Sequence, residues 1–148
     1  MPYRYIDDIS MADAAIEVSS NSLEGIFIDS GKALTNTMVD DLKSIKTNKK
    51  YTFKVESQER DLLLFEFLEK LVIEKDANQM LFSEFEVKIN QINEKFMVSV
   101  IAHGEHIDYD RHELCADVKA VTLHKFSLTK EKEDWKAEMI LDMSLIHI

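Results

Sequence analysis

The chain has 148 residues, 45% hydrophobic and 31% charged, with 18 Lys and Arg against 28 Asp and Glu for a net charge of −10. That length fits one domain with a core of its own. So large an acidic excess works against tight direct binding to nucleic acid, which depends on neutralising phosphates, and leaves solubility, a hard-cation site or a basic protein partner as its uses. Three glycines and one proline argue against a loop-dominated or disordered chain. No apolar run approaches the roughly 20 residues needed to span a bilayer, and MPYRYIDDIS has no apolar signal region. Cys115 is the single cysteine, so no internal disulfide forms, and a cytoplasmic protein away from membranes is expected.

In chain order, Tyr3 to Ile6 reads as a short aromatic strand. Ala12 to Ser19 alternates, with Ala12, Ala14, Ile16 and Val18 on one face and Asp13, Ala15 and Glu17 on the other. Asn21 or Ser22 starts a helix, Glu24 following, and Leu23, Ile26, Phe27, Ser30, Ala33, Leu34, Thr37 and Met38 keep its period to about Val39. Gly25 and Gly31 weaken that helix and allow close packing on a sheet. Asp40 to Asn48 reads as a loop, and Lys50 to Glu56 as a strand with one wet face through Tyr51, Phe53 and Val55. Ser57 is expected to cap a second helix running to about Lys75, with a wide stripe from Leu62 to Val72. From Met80 the chain is strand-like: Phe85, Val87 and Ile89 alternate, Asn90 to Glu94 turns, and Phe96 to Ala102 returns. Gly104 to Leu114 is a polar loop. Asp117 to Leu128 is the longest strand-like run of the C-terminal half and reads as a central strand, with Lys119 and His124 inside it. A charged turn at Lys130 to Asp134 leads to a final strand, Trp135 to Met143. The order β-β-α-β-α-β-β-β-β predicts an α+β fold, two helices packed on a mainly antiparallel sheet, in a single domain over residues 1–148.

Several side chains could carry chemistry. His103, His106 and His112 share one stretch, but zinc sites show tighter spacing and cysteine support, so a solvated histidine-bearing loop explains them better. Cys115 beside His112 lacks an orienting group and an oxyanion site, and no Gly-rich phosphate loop is present. Asp13 lies between alanines, and Asp142 between Leu141 and Met143, each on a strand near one end of the chain. Each reads as an exposed strand carboxylate; brought together by the sheet, the pair would call for a cation between them. Oxygen ligands of that kind suit Ca2+, Mg2+ or Mn2+. Lys119 can snorkel to solvent, and a strand histidine such as His124 is more often hydrogen-bonded than catalytic. Five residues apart on a regular strand, the two point to opposite faces.

Five short motifs in order resemble the archease family. YRYIDDISMADAAIEV resembles the family's opening, a short aromatic strand followed by His-Thr-Ala-Asp; Ala12 and Asp13 match the last two positions, while Ser10 and Met11 replace His-Thr. NSLEGIF at 21–27 is similar to the TLEEAF helix start, and LFSEFEV at 81–87 to the stretch after the second helix. RHELCADVKAVTLH at 111–124 resembles a block ending E-V-K-A-V-T-Y-H, with Asp117 for Glu and Leu123 for Tyr. LDM at 141–143 resembles the terminal Asp-Ile, with Met143 for Ile.

The resemblance implies a non-enzymatic protein cofactor of the tRNA-splicing RNA ligase, promoting its guanylylation by GTP and metal and so its multiple turnover. It also implies a divalent cation, Ca2+ foremost, held by Asp13, Asp142 and the carbonyl of Met143. Lys119 and His124 fall in the matched block and are candidates for partner binding. The alternative role implied is a chaperone or specificity modulator of an RNA-modifying enzyme such as a tRNA cytosine methyltransferase.

Overall fold

The computed structural model describes residues 2–6 and 13–145, so Ser10, Met11 and Ala12 of the opening motif lie outside the described residues. Within them the chain runs β1 (Tyr3–Tyr5), β2 (Asp13–Ser20), α1 (Leu23–Met38), a 3-10 turn (Leu42–Ser44), β3 (Lys49–Ser57), α2 (Arg60–Asn78), β4 (Met80–Ile92), β5 (Lys95–His106), β6 (Ala116–Glu131) and β7 (Asp134–Leu145). The succession of strands and helices is the one expected, and the fold is α+β. Its strands, however, divide into two sheets, β1-β2-β7-β6 and β3-β5-β4, antiparallel at every described pairing.

Alternation decides which face of each sheet is dry. Ala14, Ile16 and Val18 of β2 are buried, as are Ala137, Met139, Leu141 and Met143 of β7. Ser22 caps α1, its Oγ accepting the Gly25 N–H at 3.0 Å, and the periodic set from Ile26 to Met38 is buried. A Cβ on Gly31 would lie 2.9 Å from ring carbons of Phe85, so the bare glycine is what seats α1 on β4. Phe67 of α2 ties the layers together: its ring lies 5.3 Å from Phe27 of α1 and 6.0 Å from both Phe53 of β3 and Phe85 of β4. Phe27 and Phe67 are fully buried, each contributing about 1.5–3 kcal/mol from water exclusion.

Four local expectations are corrected. Ser57 does not cap α2. It ends β3, its Oγ accepting the Glu59 N–H at 3.2 Å, and Glu59 holds the cap position without a side-chain hydrogen bond. The helix continues past Lys75 to Asn78 because Gln79, in the left-handed region at φ 54°, ends it. The turn of the β4–β5 hairpin is confined to Asn93 and Glu94, with Asn93 at φ 58°, and β5 continues through Gly104 to His106, into the stretch expected to be a loop. Finally, β6 is an edge strand, not a central one. Val118 and Val121 are buried on one face, where Phe65 of α2 also meets Phe126 edge-on at 5.6 Å, and a strand lies on one side only.

Candidate functional site

The register of β2 against β7 sets Asp13 directly opposite Asp142, and the next pair inward is Ala14 with Leu141, both buried. The two aspartates therefore share the outer face of the sheet. Directly opposed residues of an antiparallel pair have Cβ atoms roughly 4.5–5.5 Å apart, close enough for both carboxylates to serve one ion. Asp13 is exposed and Asp142 half-buried. Met143 turns its side chain into the core against Val118, so only its main chain is suited to a hard cation.

Two carboxylates and a main-chain carbonyl form an oxygen-only set that fits Ca2+, Mg2+ or Mn2+, with further positions left for water or a partner's oxygens. Among the described residues no group of three or more His, Cys, Asp and Glu side chains converges on one point. The three histidines of the zinc reading go separate ways. His103 Nε2 lies 2.6 Å from the Glu86 carboxylate, His106 is exposed at the end of β5, and His112 is buried.

Further along the same face, Glu17 and Glu138 are also directly opposed. Arg4 Nε lies 3.3 Å and Lys136 Nζ 3.4 Å from Glu17, with Lys136 3.8 Å from Glu138. The Arg4 hydrogen bond, with help from Lys136, holds the Glu17 carboxyl below its ordinary pKa.

Lys119 sits in an irregularity of β6. Val118 pairs with Met143 and Ala120 with Asp142, leaving Lys119 as the extra residue of a β-bulge. The bulge lets Val118 and Val121, three residues apart, both reach the core, while Lys119 and Ala120 between them are exposed. His124 lies in a second irregularity, between Thr122 and Ser127, where Lys125 adopts φ 56°. Neither Lys119 nor His124 is in sheet interior, as their run had suggested; both are exposed. Nor do the two sit on a regular strand, because β6 shifts register both at Lys119 and after Thr122.

Sequence reasoning missed two clusters away from this face. Lys75 is buried, its Nζ lying 2.6 Å from Asp117 Oδ1, 2.6 Å from Asp76 Oδ1 and 2.7 Å from the Val118 carbonyl. A lysine in a helix's last turn gives no signal of that in sequence. The second cluster gathers on Glu105, whose Oε2 accepts the Lys46 N–H at 2.7 Å, the His112 Nε2–H at 2.9 Å and Arg111 Nη2 at 2.5 Å. His112 Nδ1 accepts the Asp108 N–H at 2.9 Å, which places the imidazole proton on Nε2. Burial alone would raise the Glu105 pKa, but Arg111, the Lys46 amide and His112 outweigh it and bring it down to about 2. The signal available in sequence was the mixture of Glu105, Arg111 and His112 in one polar stretch. Cys115 has its thiol pushed up by burial and then by Asp40 and Glu113, the wrong direction for a nucleophile.

Comparison with known families gives one match that spans these features: the archease protein family (MTH1598/TM1083), over residues 3–143. The chain belongs to the archease family. Protein archease of Methanopyrus kandleri is 33% identical over 143 residues, covering 97% of this chain and all of its own length. Protein archease of Pyrococcus abyssi is 30% identical over 133 residues, 89% of this chain and 93% of the relative. Among solved structures, the solution structure of Methanobacterium thermoautotrophicum protein 1598 superposes with a TM-score of 0.83 at 28% identity, covering 95% of this chain and 98% of that one. The crystal structure of a Thermotoga maritima archease, described as a "possible chaperone", shares the fold with a TM-score of 0.56 at 15% identity, covering 90% of this chain and 92% of its own. No helix among the described residues is long and apolar enough to cross a membrane.

Proposed function

We propose that this protein is a non-enzymatic cofactor of a tRNA-splicing RNA ligase, raising the ligase's guanylylation and turnover through a divalent cation held at Asp13, Asp142 and the Met143 carbonyl. The observation that carries the reading is the pairing of Asp13 with Asp142, two carboxylates from opposite ends of the sequence set face to face on one sheet surface. Membership of the archease family supports the type of role. The cation, when bound, supplies a charge that a partner's oxygens or phosphates can complete. In this reading β2 and β7 carry the two aspartates that would hold it, and Lys119, the extra residue of the β6 bulge next to Ala120, would offer the partner a cation.

The action is on the partner's conformational balance. A surface that binds one state of the ligase better than another shifts the population toward that state, and a net charge of −10 favours rapid encounter with a basic cleft. Ca2+ is the foremost candidate, with Mg2+ and Mn2+ fitting the same oxygens. The test is to count RNA molecules joined per ligase with limiting ligase and excess GTP. With this protein present the count is expected to rise well above one; an unchanged count overturns the reading. The chaperone alternative gains if the protein instead keeps a tRNA cytosine methyltransferase soluble and specific while leaving ligase turnover unaltered.

A further inference from the structure

Lys75 holds a buried ammonium between Asp76 of its own helix and the Asp117–Val118 stretch of β6. Its three N–H donors match its three acceptors, Asp117 Oδ1, Asp76 Oδ1 and the Val118 carbonyl. An apolar side chain would fill the same volume without the desolvation of a charge, and the best-attested use of a buried ion in such a place is to fix register. Register is what this stretch has to fix. Directly after Val118, β6 carries the bulge that keeps Val118 opposite Met143 and places Ala120 opposite Asp142. Without the extra residue, Lys119 would take the position opposite Asp142, and Val121 would leave Leu141 and turn from the core to the outer face. The clamp joins α2 to β6 one residue before that decision is made.

We propose that Lys75 is a positioning residue for the outer-face site: by gripping Asp117 and the Val118 carbonyl it fixes the β6 bulge that flanks Asp142 and Met143 and sets out Lys119. The inference rests on the reading of Asp13 and Asp142 as a cation site, and its test separates the two. Mn2+ alone is the probe, its binding followed by electron paramagnetic resonance on the full chain, alongside amide hydrogen exchange without metal. Lys75→Met is expected to unfold cooperatively, to exchange at least tenfold faster at residues 118–121 and 142–143 while the β4–β5 hairpin is unchanged, and to bind Mn2+ at least fivefold more weakly. Should Lys75→Met fail to fold, Asp117→Asn, on a half-exposed side chain, removes one arm of the clamp and is expected to show the same pattern at about threefold. Wild-type exchange in the folded variant overturns the inference. So does faster exchange with unchanged Mn2+ affinity, because the clamp would then serve stability only. Wild-type Mn2+ binding that is indifferent to Asp142→Asn overturns the cation site itself; binding that needs Asp142 but ignores Lys75 and Asp117 overturns this inference alone.

Discussion

Asp13 and Asp142 owe their meeting to backbone register, so their roles can be separated from that of their neighbour Met143. A cation that binds only the folded state stabilises it by mass action, about 2.7 kcal/mol at a hundred times its dissociation constant. Saturating Ca2+ or Mn2+ is therefore expected to raise the Tm, and Asp13→Asn or Asp142→Asn to remove most of the rise. Met143→Ile should keep it, because the side chain points into the core and only the carbonyl is proposed as donor. Equal metal-induced shifts in wild type and both Asn variants would place the ion elsewhere. Glu105 gives a different titration. Its carboxyl pKa falls from 4.5 to about 2 on folding, so its contribution is complete above about 4.5 and is lost as pH falls toward 2. Glu105→Gln should flatten the acid limb of the stability curve between those values. At neutral pH it should cost roughly 1.5–3 kcal/mol, the scale of lost hydrogen bonds to a charged group. Urea unfolding across that pH range checks both.

At the scale of elements, the long β4–β5 hairpin depends on one missing side chain. A Cβ on Gly104 would lie 1.8 Å from the Leu81 carbonyl oxygen and 2.8 Å from Phe82 Cα, backbone atoms of the neighbouring strand that cannot swing aside. Beside them β4 shifts register between Phe82 and Glu84. Gly104→Ala should cost about 3 kcal/mol, seen as a lower urea midpoint at unchanged slope. The elements were largely legible in sequence because their periods are clean: Ala14, Ile16 and Val18 in β2, Phe53 and Val55 in β3, the buried stripe of α1. What misled was β6. Its density of β-branched residues reads as a strand with neighbours on both sides, yet β6 is an edge covered in part by α2. Its two irregularities leave no mark that simple alternation detects, except that Val118 and Val121 are an odd number apart. The Ser57 cap failed for a related reason. A serine ahead of a helix stops the strand as readily as it starts the helix, and here the chain stays extended to Ser57.

At the scale of the molecule, the outer face of the four-stranded sheet carries two opposed acidic pairs, and their environments differ. Glu17 and Glu138 are bridged by Arg4 and Lys136; Asp13 and Asp142 lie at the end where the β6 bulge presents Lys119. That pairing across the chain ends could be anticipated from the two terminal strands and the family motif. The buried clusters on Lys75 and on Glu105 could not, because each is completed by groups distant in sequence, Asp117 and the Val118 carbonyl for Lys75 and the Lys46 amide for Glu105. The proposed role of the whole surface is to favour the ligase state that accepts GMP. Transfer of labelled GMP to the ligase, measured at limiting GTP and divalent metal, tests this most directly. The wild-type protein is expected to speed labelling at least tenfold, Asp13→Ala and Asp142→Ala to stay folded and lose that gain, and ligase charged beforehand to join its first RNA at the same rate with or without this protein. A first joining step by charged ligase that depends on this protein, or full activation by the folded Asp142→Ala variant, would contradict it.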